Sequence, residues 1–111
     1  MLNTENMNRL SIQIWKDFDK ILTNGVWSIQ IHTGNVCFEK GNVYAKDYRI
    51  IARLLSRGDK ANIDRVKGFI EKRYGIGNAV IDKDEALYDV IIFKDISEET
   101  LNNIDTLLRM S

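Results

Sequence analysis

The chain holds a single histidine, His32, and a single cysteine, Cys37, with Gly34-Asn35 between them. A glycine-first pair favours a two-residue type II′ hairpin turn. Such a turn pairs Thr33 with Val36, His32 with Cys37, and Ile31 with Phe38. His32 and Cys37 then form a non-hydrogen-bonded cross-strand pair, with Cα atoms about 4.5 Å apart. A thiol that close to an imidazole is the starting point for a nucleophilic dyad, and Gln30 and Glu39 on the same face could orient the ring. A thiol enzyme also needs an oxyanion site and a cleft, which the outer face of a hairpin does not offer. One His and one Cys do not complete a zinc site either.

Two further groupings invite chemistry and decline it. Asp82, Asp84, Glu85 and Asp89 are oxygen-rich, but they lack the EF-hand spacing and its glycine, and read as a solvated turn. Gly75-Ile76-Gly77 follows a helix and precedes a strand, the reverse of a nucleotide-binding loop. No cofactor and no metal is expected, and the chain is read as non-enzymatic.

The sharpest feature is basic. Net charge is zero, yet residues 46–73 hold nine basic and four acidic side chains, while residues 74–111 hold three and eight. Lys46, Arg49, Arg53 and Arg57 step by three, four and four. Read as a helix over 47–57, this places all four opposite Ile51, Leu54 and Leu55. None has a carboxylate four residues away within that helix, whereas Lys60–Asp64 and Lys67–Glu71 in the next helix are so spaced. Arginine favours bidentate contact with carboxylate or phosphate, and Tyr44 and Tyr48 could stack on bases or on a partner.

The elements that must position this stripe follow from periodicity. Met7, Leu10, Ile14, Phe18 and Ile21 share one face of a leading helix, capped at Thr4 and stopped at Asn24-Gly25, while Ile12 and Trp15 fall off the stripe. Val26–His32 alternates as a half-buried strand and pairs with Val36–Glu39. Gly41-Asn42 ends that hairpin, and Val43-Tyr44 extends the sheet briefly. After the helix over 47–57, a second helix aligns Ile63, Val66, Ile70 and Tyr74, with Gly75 at its C′ position. Gly68 inside it marks close packing. Asn78–Asp82 and Ala86–Phe93 form a second hairpin, and the continuous Val90-Ile91-Ile92-Phe93 run marks a central strand. Asp95 or Ser97 caps a last helix containing Leu101, Ile104, Leu107 and Leu108.

The order α-ββ-αα-ββ-α predicts an α+β fold: an antiparallel sheet of about four strands from two hairpins, with helices mainly on one face. A chain of 111 residues fits one domain, 1–111, in the usual size range. A lone cysteine and the lack of a leader or a long apolar run point to a cytoplasmic protein without a membrane span. The functional expectation is a small protein-binding module of the inhibitor, immunity or antagonist kind, such as phages and mobile elements carry, which occludes a larger partner. Segregated charge suits electrostatic complementarity. The alternatives are an RNA- or DNA-binding module using the basic face at residues 46–57 and a thiol enzyme using Cys37 and His32. A pI near 6.6 weighs against long-range attraction to a duplex. Self-association is a further expectation, through opposite-sign segments or through Ile12 and Trp15.

Overall fold

Leu10, Ile14 and Phe18 recur at one-turn steps and are all buried, so the first helix, α1 (Thr4–Asp19), turns one stripe onto a sheet. The computed structural model describes residues 2–20, 26–54, 60–77, 79–85 and 88–110. Asn3, one residue before the expected Thr4, caps α1: its side chain accepts from the Asn6 amide at 2.8 Å. The expected stop at Asn24-Gly25 lies outside the described residues.

The strands β1 (Val26–Thr33), β2 (Val36–Glu39), β3 (Asn42–Ala45) and β4 (Tyr48–Leu54) come next, then α2 (Lys60–Tyr74), β5 (Ala79–Glu85), β6 (Tyr88–Ile96) and α3 (Glu98–Arg109). The main sheet has four strands in the order β1-β4-β6-β5, all antiparallel, and β2-β3 form a separate ribbon. The α+β fold and its four-stranded antiparallel sheet stand as expected, but the order is α-ββββ-α-ββ-α.

Two local expectations fail. The helix over 47–57 is replaced by β4, with residues 55–59 outside the described ones. Along β4 buried and half-buried residues alternate strictly. Tyr48, Ile50, Ala52 and Leu54 face the core, and the β-branched Ile50 and Ile51 favour extended backbone. The turn at Gly34-Asn35 is also absent. The chain bends at Asn35 without reversing and reverses at Lys40-Gly41, where both residues take positive φ (51° and 78°), the signature of a type I′ turn. The pair numbers add to one constant total from Ser28↔Arg53 through Glu39↔Asn42. Thus β1-β2 and β3-β4 are the two limbs of one long hairpin whose distal part, the β2-β3 arm, lies beyond the sheet.

Where the arm leaves the sheet, a clamp interrupts the ladder. Asp47 accepts from the Asn35 amide at 3.0 Å and from the Asn35 side chain at 2.9 Å. Gly34 donates to the Asp47 carbonyl, and Lys46 to that of Asn35. The close approach needs a glycine, because a Cβ on Gly34 would run into the Asp47 carboxylate. Those hydrogen bonds from Asn35, backbone first, hold the Asp47 carboxyl below its usual range.

The core lies on one side of the sheet. Leu10, Ile14 and Phe18 from α1, Ile63, Val66 and Ile70 from α2, and Leu101 and Ile104 from α3 meet Ile29, Ile31, Ile50, Ile91 and Phe93. Each such side chain contributes about 1.5–3 kcal/mol when fully buried. Polar contacts fix the helices. Asp17, buried on α1, accepts from Arg73 Nε at 2.6 Å and Tyr74 hydroxyl at 2.7 Å on α2. Arg9 grips Asp105 of α3 with two bonds of 3.0 and 3.2 Å. Ser97, rather than Asp95, caps α3 by accepting from the Thr100 amide. Gly68 does not mark close packing, since it is exposed and an added Cβ would meet nothing within 4 Å.

Candidate docking face

Strand pleating decides which side chains oppose the helices. Arg49, Ile51 and Arg53 occupy the half-buried positions of β4, opposite the core-facing set. The register adds neighbours from the other strands to that face. One row runs Gln30, Ile51, Ile92 and Val80; the next runs Ser28, Arg53, Val90 and Asp82; and His32 stands opposite Arg49. Lys94, two residues beyond Ile92, extends it. Among the described residues, every buried side chain that α1, α2 or α3 adds to the core lies with the opposite set of sheet residues. Val90 belongs here: it is buried yet stands outside that core.

Among the described residues, the face turned away from the helices therefore carries an apolar row flanked by cations. Arg49, Arg53 and Lys94 are half-buried, and Val80 is 44% exposed at the sheet edge. His32 Nε2 lies 3.2 Å from Gln30 Oε1, which ties the two β1 side chains together on the rim. The register puts position 82, an aspartate, at the far corner. Asp47 at the clamp, bonded to Asn35, feels the positive charges of Arg49 and Lys46.

The structure reassigns the stripe residue by residue. Arg49 and Arg53 do share a face, but it is the face of a strand. Lys46 is exposed beside the clamp at the root of the arm. Arg57 lies outside the described residues. Tyr44 is exposed on the arm, opposite Cys37. Tyr48 cannot stack on a ligand. It is buried in the core with its hydroxyl accepting from the Leu2 amide at 3.0 Å. Sequence reasoning missed Ile92, Val80, Lys94 and His32 as members of one surface, and placed Ile51 in a helix core. The two-residue period of 48–54 was the available signal.

The proposed dyad geometry is also overturned. Cys37 pairs with Tyr44 and His32 with Arg49, because the turn falls at Lys40-Gly41. His32 and Cys37 are five positions apart on one limb of the hairpin, with the clamp at Gly34-Asn35 between them. Among the described residues, no group of three or more His, Cys, Asp or Glu could hold a metal. In the acidic grouping, Asp89 is not at a solvated turn: it is buried and pairs with the core-facing Leu54. The side chains of Asp82, Asp84 and Glu85 lie outside the described set. Among the described residues, no helix is long and apolar enough to cross a membrane.

No family model matches the chain, and no similar curated protein or solved structure was found for it.

Proposed function

We propose that the protein is a small protein-binding module that docks through the open face of its sheet onto an acidic surface of a larger protein, and acts as an inhibitor or antagonist by occluding that surface. One observation carries this reading. Among the described residues, the helices add their buried side chains to the other face of the four-stranded sheet, and this face sets Arg49, Arg53 and Lys94 around Ile51, Ile92 and Val80. Apolar centres with cationic rims suit protein interfaces, where the rim steers encounter and the centre supplies burial.

A second reading, RNA or DNA binding on the same face, draws on the same cations. It is the weaker one, because Tyr48 is withdrawn into the core and base stacking normally uses exposed aromatic rings. Affinity capture from nuclease-treated host lysate separates the two. Immobilised wild type is expected to retain a polypeptide that Arg49→Glu and Ile92→Asp lose. Retention by both variants overturns the docking face. Retention abolished by nuclease transfers the face to nucleic acid, and Arg49→Ala should then flatten the salt dependence of binding.

A further inference from the structure

The open face of the sheet continues onto the β2-β3 arm. Alternation puts Gln30, His32, Arg49 and Ile51 on that face, and it carries on along both limbs of the long hairpin, because one register holds on either side of the clamp. Val36 opposite Ala45 and Phe38 opposite Val43 therefore stand on the same side as Arg49 and Ile51, while Cys37, Tyr44, Glu39 and Asn42 take the other. The joint agrees. A Cβ added to Gly34 would run into the Asp47 carboxylate and lie 3.4 Å from Arg49 Nε, so at Gly34 the chain still turns this face toward Arg49. Val36, Phe38 and Val43 are 59%, 75% and 55% exposed. Together they add apolar surface on the order of 300 Å².

The combined surface is graded along its length. At the sheet end Arg49, Arg53 and Lys94 flank Ile51, Ile92 and Val80; at the arm end Val36, Phe38, Val43 and Ala45 carry no charge. Charge selects the occupant. A second copy laid face to face sets the cations of one sheet against those of the other. Turned end for end, it buries those cations under an apolar arm that offers them no partner. An acidic surface next to an apolar recess satisfies both ends at once.

Resting on the docking reading above, we propose that the partner is an acidic protein with an apolar cleft beside its acidic patch: the β2-β3 arm fills the cleft while Arg49, Arg53 and Lys94 meet the carboxylates. A specific interface takes about 800 Å² from each side, and the arm supplies a large share of the apolar part. The division of labour is the usual one, with the charges steering encounter and the apolar end holding the complex.

Photo-crosslinking tests this. p-Benzoylphenylalanine is placed singly at Phe38, Ile92 or Tyr44, circular dichroism verifies folding, and each protein is irradiated in nuclease-treated host lysate. Positions 38 and 92 are expected to crosslink the same polypeptide, 38 to an apolar segment and 92 to one rich in Asp and Glu. Position 44, on the far side of the arm, is expected to crosslink at least tenfold less. Phe38→Ser is expected to lower retention of that polypeptide at least tenfold and leave its salt dependence unchanged, whereas Arg49→Ala flattens it. Crosslinking at 92 without 38, equal crosslinking at 38 and 44, or full retention by Phe38→Ser overturns the arm's role and leaves the sheet reading standing. Crosslinking at neither 38 nor 92 overturns the docking reading and the arm's role with it. A crosslink from 38 to a second copy of this chain overturns the acidic partner.

Discussion

Replacing Tyr74 by Phe tests how α2 is held to the rest of the molecule. The Tyr74 hydroxyl donates to Asp17 Oδ2 at 2.7 Å, and Arg73 Nε donates to the same oxygen at 2.6 Å. Both Asp17 and Tyr74 are buried. A hydrogen bond to a charged group contributes about 1.5–3 kcal/mol. Asp17 keeps Arg73 in the variant, so the loss should sit at the lower end, about 1.5–2 kcal/mol. For a chain of this length that is a fall of about 6–8 °C in Tm. Asp17→Ala removes the acceptor for both donors. The Arg73 side chain is 32% exposed and rehydrates, which limits the cost to about 2–3 kcal/mol. The double variant should cost less than the two singles together by about 1–2 kcal/mol, because the shared bond is lost once. Burial, and secondarily the bond to Asp17, pushes the Tyr74 hydroxyl well above its ordinary value of 10.0. A raised folded-state pKa gives stability that is complete below the unfolded value and lost as pH rises past it. Wild type should therefore lose stability above about pH 10 more steeply than Tyr74→Phe. Thermal and urea unfolding read all of this. A Tm shift under about 2 °C for Tyr74→Phe, or strict additivity, refutes the clamp.

Two further expectations concern the arm and α2. Asp47→Ala, or Gly34→Ala, which pushes a methyl group into the Asp47 carboxylate, should speed amide exchange at Gly34 and Lys46 with little change in the helices; unchanged exchange there excludes the clamp. The Asp47 carboxyl is held below its ordinary 3.8 by Asn35, so the clamp is complete above that pH and loosens as pH falls through the depressed value, which exchange rates at pH 5 and pH 3 would show. Gly68 is exposed in α2 with open space at its Cβ position, so Gly68→Ala should stabilise by about 0.5–1 kcal/mol; destabilisation in urea melts would mean that something packs on that position.

The helices were legible in the chain because each has one apolar stripe and a recognisable end: Leu10, Ile14 and Phe18; Ile63, Val66 and Ile70; Leu101 and Ile104 under Ser97. The second hairpin was legible from its unbroken apolar strand. The hairpin over 26–54 was misread for two physical reasons. Its true register and the one implied by a Gly34-Asn35 turn differ by an even number of residues, so inward and outward positions are the same in both; Ile31 meets an apolar partner whether that is Phe38 or Ile50. What distinguishes them is the positive-φ turn at Lys40-Gly41 together with the long-range Asp47–Asn35 clamp, and the clamp has no local signature. The arginine step of four is likewise in phase with a helix turn and with twice the strand period. That coincidence kept Arg49 and Arg53 on one surface under either reading and hid which surface it was. Tyr48 was lost to the core for the same reason.

Amide hydrogen exchange on the complex captured from nuclease-treated lysate tests the docking face most directly. The account predicts added protection across residues 28–33, 48–54 and 90–94, on β1, β4 and β6, with the solvent-facing turns of α2 and α3 unchanged. Protection confined to the helices, with the sheet exchanging as in the free protein, would contradict it.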